Sequence, residues 1–203
     1  MNLIKELVKN GWLKSVEIIR AFESVQRKDF VIDKSLADVD SALPIGYDQT
    51  ISQPLVVAFM LEKLEPKAGE KILDVGSGSG WTTALLSHIV GQKGRVIGLE
   101  IIKGLKEFGE KNISKYNFIK QGITEFHLTD GREGWKKEAP YDKILCSAEA
   151  KELPKELKKQ IKVGGRIVIP IENSICVFDK ISDKEFLKKC YPGFVFVPLV
   201  KTK

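Results

Sequence analysis

An acid and three alternating glycines are the residues of this chain whose spacing most clearly suggests chemistry. Asp74 lies in an apolar run of β-strand type, 72–75, and glycine then recurs at every second position. Gly76, Gly78 and Gly80 allow a sharp turn and leave room for a ligand against the main chain. A helical pattern follows directly, so unpaired N–H groups and a positive dipole end would face that ligand. This segment predicts a site for a nucleotide-like cofactor.

The spacing of the glycines discriminates between cofactors. The dinucleotide pattern G-x-G-x-x-G needs a small residue at position 81 for close packing of helix on strand, and this chain has Trp81 there. The segment instead reads acid-x-G-x-G-x-G and resembles the class I S-adenosylmethionine (SAM) methyltransferases. Asp74 suits a cofactor that has an ammonium-bearing tail and no pyrophosphate. The alternative is that this segment is an ordinary turn between a strand and a helix and binds no cofactor.

Two further acids follow predicted strands. Glu100 ends the run 95–99 and lies 20 residues after Gly80. Ligands of open α/β sheets bind beyond the carboxyl ends of the strands, where an acid accepts hydrogen bonds from ribose hydroxyls. Asp130 ends another run, 123–128, and could receive the amino group of adenine. The alternatives are a solvated or helix-capping Glu100 and a plain Asp-Gly turn at Asp130.

The loop before the glycine segment carries the most specific motif. Residues 44–54 read PIGYDQTISQP and resemble the signature P-I-G-x-x-Q-T-I-S-x-P of the protein-L-isoaspartate O-methyltransferases. The likeness extends over about residues 27–201, so the chain is identified as a member of that family. The other matches, in order, are LDVGSGSG at 73–80, DG at 130–131, APYD at 139–142, VGGR at 163–166 and FVPL at 196–199.

The resemblance implies SAM-dependent methylation of the free carboxylate of L-isoaspartyl residues in damaged proteins, which initiates their repair. It gives Ser52 the active-site role and implies a loop that covers the cofactor and touches the substrate carboxylate. The implied substrate-binding residues are Thr50, Ile51, Ser52, Val197, Pro198 and Leu199. The predicted cofactor-binding residues are Asp74, Gly76, Ser77, Gly78, Gly80, Glu100, Asp130 and Gly131. The predicted partners are isoaspartyl peptides and proteins, and no metal is predicted.

Such chemistry makes few demands on acid–base residues. A carboxylate is already ionised at pH 7, so the acceptor needs no general base, and catalysis consists mostly of positioning and exclusion of water. A neutral hydroxyl such as that of Ser52 can orient the acceptor oxygen without neutralising it. Because Ser52 lies two residues before Pro54, the alternative is that it caps the helix that follows.

Glu149 and Glu172 depart from the family pattern. Each adds a negative charge near the expected substrate cleft, which would weaken affinity for an acidic isoaspartyl peptide. Two other functions stay open. One is a related SAM methyltransferase that acts on another carboxylate, a small molecule or RNA. The other is a SAM-binding or peptide-binding module with little catalysis.

Composition limits the remaining classes. The 203 residues are 43% hydrophobic with a formal net charge of +6, which suits one α/β domain with a sizeable core. The lysines are scattered over helical faces, so no nucleic-acid groove is predicted. No apolar stretch approaches the ~20 residues of a membrane span, and the amphipathic N-terminus lacks a signal peptide's apolar core. Three cysteines without metal-like spacing predict free thiols in a reducing cytoplasm. We expect a cytoplasmic monomer.

The elements that must position these residues follow from the hydrophobic pattern. It predicts a single Rossmann-like methyltransferase domain, 1–203, with a mostly parallel sheet, helices on both faces and an antiparallel C-terminal edge. N-terminal helices and a covering loop (1–53) precede the SAM-binding core (54–172) and the C-terminal strands (173–203). The N-terminal part has one helix ended by Gly11, a second capped by Ser15, and an aperiodic loop, 33–52. The predicted core helices are 54–64, 81–90, 103–115 and 154–161, and the core strands are 71–75, 95–99, 123–128, 142–146 and 165–171. The C-terminal edge is predicted as strands 174–180 and 193–199 with a short helix, 183–189, between them.

Overall fold

The computed structural model describes residues 3–200 of the chain. Its strands, in chain order, are β1 (Leu43–Gly46), β2 (Gln49–Ile51), β3 (Lys71–Val75), β4 (Arg95–Glu100), β5 (Thr124–Leu128), β6 (Tyr141–Cys146), β7 (Ile161–Ile171), β8 (Ser174–Lys180) and β9 (Phe186–Pro192). Its α-helices are α1 (Leu3–Lys9), α2 (Val16–Ser24), α3 (Pro54–Leu64), α4 (Trp81–Val90), α5 (Lys103–Ser114) and α6 (Lys155–Gln160).

Seven strands of the described chain form one sheet in the order β5-β4-β3-β6-β7-β8-β9. The first five of these run parallel, and β8 and β9 add an antiparallel edge. The chain builds outward from β3 to β5 and then crosses back to β6, on the other side of β3. The prediction of a mostly parallel sheet with an antiparallel C-terminal edge is confirmed. Ligands of such sheets bind where the strand order reverses, which here is between β3 and β6.

Apolar layers cover both faces of the sheet. Successive residues of a strand point to opposite faces. Ile72 accordingly packs in one hydrophobic cluster, while Leu73 and Val75 pack in the other. Helices α2, α3, α4 and α5 contribute to the first cluster and α6 to the second. Burial on both faces explains why the core strands read as continuous apolar runs.

The C-terminal edge differs from its prediction. Residues 183–189 do not form the predicted helix, because 186–189 belong to β9. The predicted strand 193–199 is an irregular segment in which Pro198 makes an isolated bridge to Glu149. Strand β9 pairs on one side only and is mostly exposed, so its sequence lacks the apolar alternation of a half-buried strand.

Two of the three cysteines contradict the prediction of free thiols. Cys176 of β8 lies opposite Cys190 of β9, and the two form a disulfide. Cys146 is free and buried. The pairing depends on the register of β9, a strand that the hydrophobic pattern does not reveal, so the spacing of the cysteines alone could not identify it.

The two N-terminal helices form where the pattern predicts them. Gly11, which follows α1, has a positive φ of 73°. Ser15 directly precedes α2, but its hydroxyl donates to the Glu62 carboxylate of α3 (2.7 Å) and does not cap α2. The backbone N–H of Ser15 donates to the other oxygen of that carboxylate (2.8 Å). Ser15 is therefore not the predicted cap of α2 but links the start of α2 to α3 by hydrogen bonds.

Residues 33–52, called the covering loop below, contain more regular structure than predicted. They form a short 3-10 turn (Lys34–Leu36) and an antiparallel hairpin of β1 and β2. Tyr47 and Asp48 make the two-residue turn of this hairpin, both with positive φ (56° and 55°). A tight hairpin needs that twist, but Asn-Gly is the usual signal for it. The sequence Tyr47-Asp48 therefore does not predict the turn that it forms.

Candidate functional site

A cleft opens at the carboxyl ends of β3, β4 and β6 and is called the main cleft below. Its volume is about 840 Å³ including its opening to solvent, which is in the range of small-molecule sites. It lies at the strand reversal where a ligand is expected. The segments that line it are 75–79 after β3, 99–102 after β4, 147–148 after β6, 49–52 of the covering loop and 197–200 near the C-terminus.

The glycine loop forms the floor of the main cleft. Gly76 and Gly78 line it, and both have a positive φ (76° and 51°) that L-residues rarely adopt. Gly80 does not line the cleft. It precedes α4, and a Cβ on it would stand 3.0 Å from the Gly109 carbonyl oxygen of α5. Gly80 therefore allows α4 and α5 to approach closely, which is a packing role.

Glu100 is the carboxylate that the structure holds at the cleft. Its side chain accepts three backbone hydrogen bonds: Oε2 from Gly78 (2.8 Å), and Oε1 from Ile101 (2.8 Å) and Ile102 (2.9 Å). These contacts join the glycine loop to the end of β4 and fix the orientation of the carboxylate. A carboxylate has about four acceptor sites, so Glu100 can still accept a hydrogen bond from a ligand hydroxyl.

Asp74 lies behind the glycine loop rather than in the cleft. It is fully buried, and Oδ2 accepts hydrogen bonds from the hydroxyls of Thr82 (2.9 Å) and Thr83 (2.6 Å) in the first turn of α4. Oδ1 is buried and has no hydrogen-bond partner among the described residues. Burial raises the pKa of Asp74 to about 6, although the threonine hydroxyls act in the opposite direction. The structure thus places Asp74 where it anchors α4 to β3.

This burial predicts a pH dependence of stability. In the unfolded chain Asp74 titrates near its ordinary pKa of 3.8, whereas the folded chain keeps the proton up to about pH 6. Between these values folding takes up a proton, so the Asp74 contribution to the free energy of unfolding falls as pH rises. We expect wild type to lose about 2 kcal/mol relative to Asp74→Asn between pH 4 and 6.

Urea unfolding of both proteins across this pH range measures the difference. The exposed acid Glu152 offers a matched control, because Glu152→Gln removes a surface carboxylate and should follow wild type. A constant difference between wild type and Asp74→Asn across the range would contradict the assignment.

Asp130 also lies outside the main cleft, although its neighbour Gly131 lines it. Asp130 begins a 3-10 turn (Gly131–Glu133), and its Oδ1 accepts from the backbone N–H and Nε of Arg132 (both 3.0 Å). These contacts are those of the Asp-Gly turn that was the alternative. A Cβ on Gly131 would overlap the side chain of Val75, so a larger residue could not stand there. The adenine contact of Asp130 stays a prediction.

Ser52 lies at the junction of the main cleft with a second opening, called the side groove below. Its hydroxyl makes no hydrogen bond within residues 3–200. The alternative of a helix cap is wrong, because Gln53 is the N-cap of α3 and the Leu55 N–H donates to Asp40 Oδ1 (2.9 Å). An acid 15 residues upstream thus supplies the cap, and the Ser52 hydroxyl takes no part in it.

The side groove continues from the main cleft past Ser52. Thr50, Ser52, Ser147 and Val197 line both openings. None of the described residues that line the side groove is charged. The remaining lining residues are Ala42, Gln53, Val56, Val195 and Phe196.

The C-terminal segment that lines both openings is held by Glu149 through its backbone. The Glu149 N–H donates to the Val197 carbonyl (2.8 Å), and the Leu199 N–H donates to the Glu149 carbonyl (2.8 Å). The Glu149 carboxylate turns to the β7–β8 connection, where Oε1 accepts from the Asn173 N–H (3.1 Å). Neither Glu149 nor Glu172 lines the main cleft or the side groove. The expected negative charges near the substrate are therefore directed elsewhere.

The hairpin of the covering loop closes over the main cleft. Tyr47 lies against Gly104 of α5, where a Cβ would overlap the tyrosine ring and hydroxyl. Ile45 lies against the glycine loop, and a Cβ on Gly78 would stand 3.4 Å from its Cδ1. The hairpin thus reaches from the glycine loop to α5. Nothing in the sequence marks the contact of Tyr47 with Gly104, since tertiary packing alone brings them together.

Ser147 and Ala148 are cleft residues that the motifs do not identify. A signal for them exists, because they directly follow a predicted strand, and carboxyl ends of parallel strands meet at one edge. In the described part of the chain, no cluster of three or more His, Cys, Asp or Glu side chains could hold a metal ion.

Comparison with known proteins places this geometry in a family. The model of the protein-L-isoaspartate(D-aspartate) O-methyltransferase family matches residues 1–203. Protein-L-isoaspartate O-methyltransferase 1 of Arabidopsis thaliana is 42% identical over 205 residues, which cover 97% of this chain and 89% of the relative. The protein-L-isoaspartate O-methyltransferase of Pyrobaculum islandicum is 38% identical over 204 residues, 98% of each chain.

A solved structure shows the same likeness in three dimensions. It is a Plasmodium falciparum protein described as a protein-L-isoaspartate O-methyltransferase, in complex with S-adenosyl-L-homocysteine. This structure superimposes with a TM-score of 0.90 at 25% identity and covers 98% of this chain and 97% of its own. A second structure, titled protein-L-isoaspartate O-methyltransferase, has a TM-score of 0.85 at 26% identity and covers 97% of this chain and 64% of its own.

Proposed function

Because the chain belongs to the protein-L-isoaspartate(D-aspartate) O-methyltransferase family, we propose that it methylates the free carboxylate of L-isoaspartyl residues in damaged proteins with SAM and so initiates their repair. The observation that supports this proposal most directly is the charge of the main cleft. Of the described residues that line this cleft, Glu100 alone is charged. One held carboxylate in an otherwise neutral cleft suits a cationic methyl donor. It also leaves an anionic acceptor without a cation that would neutralise it.

The residues of the main cleft fit SAM. Glu100 has acceptor capacity beyond its three backbone donors, which suits ribose hydroxyls. The glycine loop presents bare backbone beside it, whereas a pyrophosphate would bring like charges towards Glu100. The residues that we propose to contact the cofactor are Gly76, Ser77, Gly78, Glu100 and Gly131. We propose that Asp130 receives the amino group of adenine, and that Asp74 and Gly80 shape the contacting loops.

Ser52 is placed to orient the acceptor. When bound, SAM supplies an electrophilic methyl carbon on a positively charged sulfur. The acceptor carboxylate is ionised at neutral pH, so no residue of the chain needs to remove a proton from it. By donating one hydrogen bond, the Ser52 hydroxyl would fix one carboxylate oxygen and leave the other to attack. A neutral donor does this without withdrawing the negative charge that makes the oxygen nucleophilic.

The covering loop and the C-terminal segment supply the remaining requirements. Both line the main cleft, which supports exclusion of water from the reacting groups. The side groove is uncharged and continuous with the acceptor position, so it suits a peptide main chain on either side of the isoaspartyl residue. The residues proposed to contact the substrate are Thr50, Ile51, Ser52, Val197, Pro198 and Leu199.

We also propose one methyltransferase domain over residues 1–203 that acts as a cytoplasmic monomer without a nucleic-acid partner. The first hydrophobic cluster supports a single domain, because it joins residues of α1 and α2 to the core of the sheet. No helix within residues 3–200 is long and apolar enough to span a membrane. The disulfide of Cys176 with Cys190 is the observation against a strongly reducing compartment.

A matched pair of peptides tests the proposed function. An isoaspartyl peptide and its aspartyl twin are incubated with the protein and with SAM labelled in the methyl group. We expect base-labile label on the isoaspartyl peptide and at least 100-fold less on the twin. Equal labelling of both peptides would favour a methyltransferase with another acceptor. Binding of SAM without transfer to either would favour a binding module.

A further inference from the structure

Arg27 lies beneath the covering loop and donates hydrogen bonds to four of its backbone carbonyls. Nη1 donates to the carbonyls of Ala37 and Val39 (both 3.0 Å). Nη2 donates to Ser41 (2.7 Å) and to Ser52 itself (3.3 Å). The side chain is 7% exposed. One guanidinium thus binds both the segment before the hairpin, 37–41, which is the stem of the loop, and the carbonyl of Ser52.

Among the described residues, the carbonyls of Ala37, Ser41 and Ser52 have no hydrogen-bond donor besides Arg27, whereas that of Val39 also accepts from the Ser41 N–H (2.9 Å). They precede or follow the β1–β2 hairpin and take no part in its register, which runs from Leu43 to Ile51. Buried carbonyls without partners are costly, and hydrogen bonds to a charged donor are stronger than neutral ones. The planar guanidinium also presents its donors in fixed directions. Removal of Arg27 should therefore loosen the loop at its stem and not in the hairpin.

Arg27 also touches the wall of the main cleft. Its guanidinium lies 5.3 Å from the ring centre of Trp81, and Trp81 lines the cleft. Asp40, whose charge acts on Arg27, accepts the hydrogen bond that begins α3 directly after Ser52. Burial lowers the pKa of Arg27 to about 10, so the group stays cationic at neutral pH. Ser52 is therefore fixed from its carbonyl side by Arg27 and from the next helix by Asp40.

We infer that Arg27 is a positioning residue for methyl transfer, which acts by holding the Ser52 segment of the covering loop against the cleft. The inference rests on the proposed function and extends it to a residue that touches neither the cofactor nor the acceptor. Lysine cannot replace arginine here, because its three protons radiate from one nitrogen and cannot reach four carbonyls in two directions.

Steady-state kinetics with the isoaspartyl peptide test this role. Arg27→Lys is expected to lower kcat at least tenfold while the affinity for S-adenosylhomocysteine changes less than threefold. Arg20→Lys is the matched control, since Arg20 is exposed on α2 and its replacement should leave both values unchanged. In the Ser52→Ala background, Arg27→Lys should lower kcat less than threefold, because the hydroxyl that Arg27 positions is already gone.

An unchanged kcat in Arg27→Lys, or the same loss with and without the Ser52 hydroxyl, overturns the inference. Amide hydrogen exchange gives a readout that does not need activity. Faster exchange confined to the covering loop supports the inference, whereas equal acceleration in β3 and β4 indicates general destabilisation and overturns it. If wild type fails to methylate the isoaspartyl peptide, the proposed function fails, and hydrogen exchange still decides whether Arg27 holds the loop.

Discussion

Replacement of Glu100 by glutamine is expected to weaken SAM binding at least 100-fold, about 2.7 kcal/mol. The carboxylate accepts backbone N–H groups with both oxygens. A glutamine amide has one acceptor oxygen and one NH2 group, so in either orientation a donor faces a donor. Depending on the orientation of the amide, either the Gly78 N–H or the N–H groups of Ile101 and Ile102 lose their acceptor. The same change removes the one negative charge of the described cleft lining.

Isothermal titration calorimetry with SAM and S-adenosylhomocysteine measures this effect and separates its two parts. Loss of loop geometry should weaken both ligands, while loss of charge should weaken the cationic SAM more. Glu107→Gln is the matched control, because Glu107 lies nearby on α5 and forms an exposed pair with Lys103. It removes the same charge and should bind both ligands as wild type does. Wild-type affinity in Glu100→Gln would contradict the assigned role.

The elements that are buried on both faces could be predicted from sequence because their apolar runs are unambiguous. The predicted strand 71–75 and helices 54–64 and 81–90 agree with β3, α3 and α4. Strand β9 could not be predicted, because an exposed edge strand has no apolar periodicity and contains adjacent lysines at 188–189. The disulfide that depends on this strand was missed for the same reason.

The features of the candidate site that depend on local sequence could also be predicted, whereas those that depend on distant residues could not. Glu100 and the glycine loop were predictable, since strand ends and glycines carry their geometry in the local sequence. The cap of α3 was not, because Asp40 reaches it from 15 residues upstream. Arg27 has no sequence signal at all, since its partners are backbone carbonyls that every residue possesses. For Asp74 the local sequence pointed to a role that its hydrogen bonds do not show. Its position in the motif suggested a ligand contact, whereas its partners are Thr82 and Thr83.

Ser52→Ala is expected to lower kcat for an isoaspartyl peptide at least tenfold, about 1.4 kcal/mol in barrier. The affinity for S-adenosylhomocysteine should stay within twofold of wild type, since the cofactor contacts proposed above do not involve this hydroxyl. Stability should also be unchanged. The cap of α3 comes from Asp40, and the hydroxyl makes no hydrogen bond within residues 3–200 that the mutation could break. Loss of turnover without loss of stability is therefore the specific signature of a group that orients the acceptor.

Two further variants make that signature decisive. Ser52→Thr keeps a hydroxyl at the junction of the main cleft and the side groove and should recover part of the lost turnover. Ser114→Ala removes an exposed hydroxyl at the end of α5 that donates to the Lys111 carbonyl of its own helix and should behave as wild type. If Ser52→Ala instead turns over as fast as wild type, positioning of the acceptor must come from other groups at the junction, such as Thr50 or Ser147. The acceptor would then be held by the walls of the cleft, and Arg27 would have no hydroxyl to position.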